Sequence, residues 1–304
     1  MHSPPALLGI DWGTSNRRAW WLAADGSVLA EHSDDQGLLA AQGRFAPALD
    51  ALLARGPALP RGAPVLMSGM VGSASGWREA PYLAATQPLR SLAQQVVPVV
   101  HADRRCLIVP GVCFDGDDGT VDVMRGEETQ LLGALAAGHG DGWYVLPGTH
   151  SKWVRLAQGR VAHLSTYMTG ELFALLTQHG TLAAITRDGG DDPAAFARGL
   201  EAARGSGLSH ALFGCRARVV AGRMPANEAR EYLSGLLIGA EWADVQHRAG
   251  GAPERIRVIG SPALERRYAD CGAHFGCRVE ALDAAALQVA AFMVLAQSLA
   301  GAAP

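Results

Sequence analysis

Short apolar runs broken by glycine-containing bends alternate along this chain with longer stretches of helical spacing. The first run, Leu7, Leu8 and Ile10, ends in Asp11; the bend Gly13-Thr14-Ser15-Asn16 follows, and a second run closes with Ala19, Trp20 and Trp21. This pattern predicts strand, turn and strand, with one acid at the end of the first strand. Asp25-Gly26 marks another turn and 27–32 a third strand, completing an antiparallel meander. The same order returns later: a strand over 143–146, the bend Gly148-Thr149-His150-Ser151-Lys152, a strand over 153–156, a turn at Gln158-Gly159 and a strand over 161–166. Gly13-Thr14 aligns with Gly148-Thr149, Asn16-Arg17 with Ser151-Lys152, and Asp25-Gly26 with Gln158-Gly159 after a two-residue contraction. One supersecondary unit therefore stands at the head of each half, an internal repeat.

Between the two meanders the spacing predicts a helix over 45–53, with Phe45, Leu49, Leu52 and Leu53 on one side. A Pro/Gly-rich loop covers 56–64, a short buried strand 65–67 runs into Ser68-Gly69-Met70, another strand covers 107–109, and a helix spans 126–137. The glycine-rich break at 138–142 is the predicted domain boundary, giving domains 1–140 and 141–304. The second half then turns helical, over 170–178, 193–203 and 226–247, with Asp192-Pro193 as a helix-start signal. A strand at 256–259 leads into Gly260-Ser261-Pro262, a helix over 263–270, a strand over 277–282 and a final helix over 284–299 capped by Asp283. Strand and helix alternate, as in α/β folds.

Composition narrows the partners. The 304 residues suit two domains, and 49% hydrophobic against 18% charged residues supply cores rather than disorder. A net charge of −3 provides no basic field, so neither nucleic acid nor an anionic membrane is an expected partner. The N-terminus lacks a signal-peptide pattern, and no transmembrane helix is expected. Cys106, Cys113, Cys215, Cys271 and Cys277 are odd in number and free of C-x-x-C spacing, which fits small core residues in a reducing compartment, the cytoplasm.

Glycine lets the backbone approach a ligand, and bend amides with the hydroxyls of Thr14 and Ser15 can surround an anion. Asp11 beside such a bend is placed to hold a hydrated Mg2+ against phosphate oxygens. One bend can take the terminal phosphate of a nucleotide, the other its inner phosphates, and the Gly260-Ser261 turn its base or sugar. Positioning and charge neutralisation are the main demands of phosphoryl transfer. The plain alternative is a pair of hairpins whose turns use Gly, Ser and Asn as turns do.

The segments IDWGTSNRRAW, MSGMVGSASGW, RGEETQ, LPGTHSKWV and MTGELF, with VIGSPALERRY and the alanine-rich last helix, resemble the 2-dehydro-3-deoxygalactonokinase family of the sugar kinase/hsp70/actin superfamily. The resemblance covers nearly the whole chain and is weakest over 181–225. It implies a duplicated, two-domain actin-like ATPase fold (ribonuclease H-like, α/β) with an interdomain cleft. It also implies ATP- and Mg2+-dependent phosphorylation of 2-dehydro-3-deoxy-D-galactonate at its 6-hydroxyl, in galactonate breakdown. A phosphatase or polyphosphate hydrolase, or a non-catalytic nucleotide-binding protein, is the alternative on the same scaffold.

Roles follow by position. Asp11 is the expected metal-organising carboxylate; Gly13, Thr14, Ser15, Asn16, Gly148, Thr149, Gly260 and Ser261 are the expected nucleotide-binding residues. Glu127 is a candidate for metal or water organisation, beside Glu128, or the two acids simply satisfy a helix N-terminus. Many sugar kinases of the superfamily carry an aspartate base near the second phosphate turn; here His150 stands there, as general base or as a hydrogen-bonding partner of substrate, with Asp11 or Glu127 as other possible bases. A sugar acid needs a cation, for which Arg17 and Lys152 are candidates; strand alternation sends Arg17 and Arg18 to opposite faces, so at most one reaches the cleft. Ser68, Gly69 and Met70, with Trp77, Glu79 and Tyr82, are expected to line the sugar site, joined by Thr169 and Glu171 at a helix N-terminus. Sequence leaves open the preferred epimer and the oligomeric state, with a homodimer as one candidate.

Overall fold

In the computed structural model, which describes residues 4–205, 207–248, 251 and 253–301, each meander heads its own sheet. The first comprises β1 (Leu7–Trp12), β2 (Arg17–Leu22) and β3 (Val28–Asp34). There follow α1 (Leu38–Ala41), α2 (Phe45–Leu53), β4 (Val65–Gly69), β5 (Tyr82–Ala84), β6 (Val97–His101), β7 (Arg104–Ile108), β8 (Gly111–Asp115), β9 (Val121–Met124) and α3 (Glu127–Ala136). The second meander is β10 (Gly142–Leu146), β11 (Ser151–Ala157) and β12 (Arg160–Tyr167). After it come α4 (Thr169–Gln178), α5 (Gly180–Ala183), α6 (Pro193–Ala202), α7 (Leu208–Val220), α8 (Ala229–Arg248), β13 (Arg255–Ile259), α9 (Pro262–Phe275), β14 (Arg278–Leu282) and α10 (Ala284–Gly301).

The strand orders are β3-β2-β1-β4-β7-β6 and β12-β11-β10-β13-β14, with β5-β8-β9 as a small separate sheet. Leaving out β6, an antiparallel addition at one edge, both large sheets read third, second, first, fourth, fifth in chain order. In each, the first strand of the meander runs parallel to the later strands. The repeat read from two Gly-Thr bends thus extends to whole sheets, and the architecture is the duplicated actin-like ATPase fold.

Compact packing does not follow the expected division into 1–140 and 141–304. One unit comprises Met1–Asp141, Arg155–Leu164 and Asp283–Pro304; the other comprises Gly142–Val154 and Ser165–Leu282. The last helix therefore belongs with the first sheet. Phe292 lies over Gly9 of β1, where an added Cβ would come 2.2 Å from the Phe292 ring. Gln288 Nε2 donates to Ser68 Oγ at 2.8 Å, and Gly133 of α3 admits the Leu287 carbonyl, which a Cβ would meet at 1.8 Å. With its 18 uncharged residues, α10 is long and apolar enough to cross a membrane, contrary to the expectation from the apolar runs, and in this unit it buries Leu287, Gln288, Ala291, Phe292 and Leu295.

Both faces of the first sheet are covered, which is why β1 and β4 are buried along almost their whole length. Successive tryptophans on β2 serve opposite faces: Trp20 meets Phe292 at 6.4 Å between ring centroids, and Trp21 fills the space over Gly56. In the second unit Trp153, Trp242, Tyr268 and Phe275 form the aromatic centre of the core. There α6 and α8 meet backbone to backbone, since a Cβ at Gly235 would lie 2.1 Å from Phe196 O.

Several boundaries differ from the sequence reading. The helix α9 runs past 270 to Phe275 because Cys271 and Phe275 continue its buried side, and Gly276 at φ +71° ends it. α7, β6 and the small sheet have no counterpart in the sequence pattern. Their apolar positions are partly exposed, Val100, Val121, Val123 and Phe213 among them, so no clean period marks them.

Candidate functional site

In the first unit, register places Asp11 opposite Arg18 on β2, and Arg18 Nη2 donates to Asp11 Oδ2 at 3.0 Å. Burial pushes the Asp11 carboxyl above its ordinary value, and Arg18 pulls the other way. Beyond Asp11 the bend is closed by Gly13 N donating to Asn16 O at 2.9 Å. The short helix α1 then fixes it from outside: Leu38, Leu39 and Gly37 amides donate to the carbonyls of Gly13, Thr14 and Ser15 at 2.9, 3.1 and 3.3 Å. Gly37 is required for that approach, because a Cβ would lie 2.4 Å from the Ser15 carbonyl carbon. Thr14, Ser15 and Asn16 are exposed, and among the described residues their amides donate to no protein acceptor. The bend is a concave set of free N–H groups beside one carboxylate, the arrangement that receives anions.

The expected sugar-site residues separate into two groups. Arg17 does not reach solvent: at 2% exposure it donates through Nε and Nη2 to Asp34 and through Nη1 to Ala48 O, over the Trp12 ring. The alternation argument holds, and the exposed arginine is Arg18, at 41%, on the same side as Asp11. Ser68 is fully buried between Ile10 O and Gln288 and holds α10 to the sheet. Gly69, at φ +89°, lies against Trp12 O, and its Cβ would come 3.4 Å from Asp11 Oδ1. Met70 is half-buried beyond it, and Trp77 stacks on Phe45 as the outer wall of the core. Gly126 touches Gly69, a Cβ there coming 3.3 Å from its Cα, so the start of α3 adjoins the end of β4. At that start Glu127 Oε2 accepts from Arg125 N at 3.0 Å and Glu128 Oε2 from Gly126 N at 2.7 Å, the capping behaviour of acids at a helix N-terminus. Glu128 is wholly buried, and burial together with Glu127 pushes its carboxyl up to about 8.

In the second unit, Gly148, Thr149 and His150 form the matching bend, also exposed and with amides that donate to nothing among the described residues. Here α4 is the external brace: Glu171 N donates to Thr149 O at 2.9 Å, and Gly170 packs so tightly that a Cβ would lie 2.2 Å from Gly148 O. His150 Nε2 and Glu171 Oε2 are 2.6 Å apart. Thr169, expected at substrate, gives its hydroxyl to Glu241 Oε2 at 2.7 Å, and Lys152 is buried on β11 at 7% exposure. Glu241 also accepts from Tyr268, whose hydroxyl is 3.0 Å from Ser151 Oγ. Burial pushes the Glu241 carboxyl up to about 8 against the lowering effect of hydrogen bonds from Thr169, Trp153 and Ser151. Ser261 caps α9, with Pro262 behind it, and Gly260 lies beside Pro147, which a Cβ would approach to 3.1 Å. Between this bend and α4, α8 and α9 is a pocket open to solvent, with about 500 Å3 of space including its open mouth, lined by Gly148, Thr169, Phe173, Leu237, Leu264, Arg267 and Tyr268 among others.

A family model described as 2-keto-3-deoxy-galactonokinase matches residues 11–295. The chain belongs to this family. A Rhizobium meliloti protein named "Probable 2-dehydro-3-deoxygalactonokinase" is 38% identical over 282 residues, covering 90% of this chain and 91% of the relative. The Escherichia coli 2-dehydro-3-deoxygalactonokinase is 36% identical over 276 residues, covering 90% and 92%. A crystal structure assigned to a Sinorhizobium meliloti protein of the same activity superposes at TM-score 0.89 and 35% identity, covering 98% of each chain.

For this galactonokinase-family chain, sequence reasoning missed the groups beneath the second bend. Glu241, Tyr268 and the pair formed by Arg267 with Glu231 (2.7 and 2.9 Å) come from α8 and α9, far from the bend in sequence. A signal existed: Glu241 stands next to Trp242 on the apolar side of α8, where an acid needs a partner.

Proposed function

We propose that the chain phosphorylates 2-dehydro-3-deoxy-D-galactonate at its 6-hydroxyl, with ATP as donor, in the cytoplasm. The observation that carries this reading is the pair of matched bends. In each, a following helix holds the carbonyls inward and leaves the amides free for phosphate oxygens. The apolar pocket beside the second bend suits the nucleoside of ATP, and its lining by Pro147 and Leu264, both next to Gly260, supports placing the nucleoside against that turn.

Mg2+ keeps most of its water and needs only one or two carboxylates. Asp11 fits that demand: Oδ2 is engaged by Arg18, Oδ1 faces the Gly69 side, and the free amides of the bend are close in sequence. A metal held there would supply charge neutralisation at the phosphate oxygens. His150 acts as the base that accepts the proton of the attacking hydroxyl, its ring oriented by Glu171. Gly69, Met70 and Trp77 form the wall for the sugar acid in the first unit.

Purified protein incubated with ATP, Mg2+ and a panel of 2-keto-3-deoxy acids tests the reading. Release of ADP that depends on the galactonate-derived acid, with product phosphorylated at the terminal carbon, is expected. Phosphate release without any acceptor would overturn it in favour of a hydrolase.

A further inference from the structure

Arg125, between β9 and α3, carries more hydrogen-bond donors than the protein satisfies. Its Nη2 donates to Ala80 O at 2.8 Å. Its Nε and Nη1 are closed off from solvent and meet no acceptor among the described residues. Gly72 makes room for the head group, since a Cβ there would come 2.9 Å from Nη1. The ring of Tyr82 lies over the guanidinium, 4.3 Å from Cζ, and is itself 42% exposed. A guanidinium does not shed its proton, so unmet donors there are relieved only by an acceptor or an anion. The aromatic face offsets part of the charge but offers no lone pair to the N–H groups.

The position is as informative as the deficit. Arg125 immediately precedes Gly126, which touches Gly69, which in turn lies beside Asp11 Oδ1. Arg17 and Arg18, the two arginines following the first bend, are already committed, to Asp34 and to Asp11. We infer that Arg125 is the receptor for the carboxylate of the sugar acid, in a subsite covered by Tyr82 when no acid is bound. The inference rests on the sugar-acid kinase reading and names the group that recognises the acid. A carboxylate entering beneath Tyr82 gains charge-assisted hydrogen bonds from donors that otherwise have none, whereas a neutral amide of the same shape gains much less. Tyr82 sits on a three-residue edge strand against Gly111, so its ring can turn aside without opening a packed core.

The experiment compares 2-dehydro-3-deoxy-D-galactonate with its C1 carboxamide, each titrated calorimetrically into the full chain without nucleotide. Wild type should prefer the acid at least about 10-fold, the scale of a hydrogen bond to a charged group. Arg125→Gln should reduce that preference to within about threefold, and Arg125→Lys should retain an intermediate preference. Because the ratio compares two ligands on one protein, general loss of stability lowers both affinities and leaves it unchanged; if Arg125→Gln does not fold, Arg125→Lys decides the matter alone. An undiminished preference in the variants overturns the role of Arg125 and leaves the kinase reading standing. Wild type that neither binds nor phosphorylates the acid overturns the kinase reading, and with it the carboxylate as occupant.

Discussion

Arg17 Nη2 and Asp34 Oδ2 lie 2.6 Å apart across the β2–β3 pairing, with the arginine almost wholly buried. An arginine adjoining the Gly13–Asn16 bend is thus an internal brace. Arg17→Ala should leave Asp34 with only His32 and the Gln36 amide as partners and lower stability by about 3 kcal/mol, the low end for a broken buried pair. At a temperature where the variant is still folded, its KM for the sugar acid should match wild type. Urea unfolding and steady-state kinetics check the two halves, and a large KM increase with unchanged stability would return Arg17 to the substrate site.

Asp11→Asn removes a charge and almost no volume. Because burial already disfavours the charged carboxyl, the fold should be no less stable, while turnover should fall by orders of magnitude. A loss of no more than about tenfold, or ~1.4 kcal/mol of barrier, would remove Asp11 from the role of metal organiser.

The 2.6 Å contact between His150 and Glu171 gives a graded expectation. His150→Ala should lower kcat by about 10²–10⁴-fold, the range for loss of a positioned base, and should change the shape of the pH–rate profile. Glu171→Gln keeps the hydrogen bond but not the charge and should cost less. If His150→Ala retains the wild-type profile, the hydroxyl proton goes elsewhere.

Stability should depend on pH through two buried acids. The carboxyls of Glu128 and Glu241 are raised from 4.5 to about 8 in the folded chain, so between those values the folded state holds protons that the unfolded state has lost. Their contribution is fully present below about pH 4.5 and is lost as pH rises toward 8. The melting temperature should therefore be higher near pH 6 than near pH 8.5, and Glu241→Gln, a permanent mimic of the neutral form, should flatten that decline. An equally steep decline in the variant would show that Glu241 ionises without cost.

Much of the molecule was legible along the chain because local patterns carry it. Two Gly-Thr bends announced the duplication, since a tight bend between apolar strands needs glycine and small polar residues wherever it occurs. The helix predicted over 45–53 is α2 residue for residue, and Asp192 caps the helix it was expected to start. Burial of side chains on individual elements could not be read in the same way. Nothing in the order of residues distinguishes Arg17 from Arg18 except which face of β2 turns toward Asp34 and Trp12. Likewise Ser68 looked like a ligand-binding hydroxyl until its partner proved to be Gln288, 220 positions away.

By itself, then, the sequence determined the repeated strand-and-bend units, the α/β class and the family. These rest on interactions among residues a few positions apart, where spacing and residue type act directly. Only the tertiary structure decided that α10 packs on the first sheet, that Glu241 and Tyr268 support the second bend, and which charged groups are spent within the core. Those choices depend on close packing between distant segments, such as a phenyl ring seated over Gly9, and short-range spacing places no constraint on them.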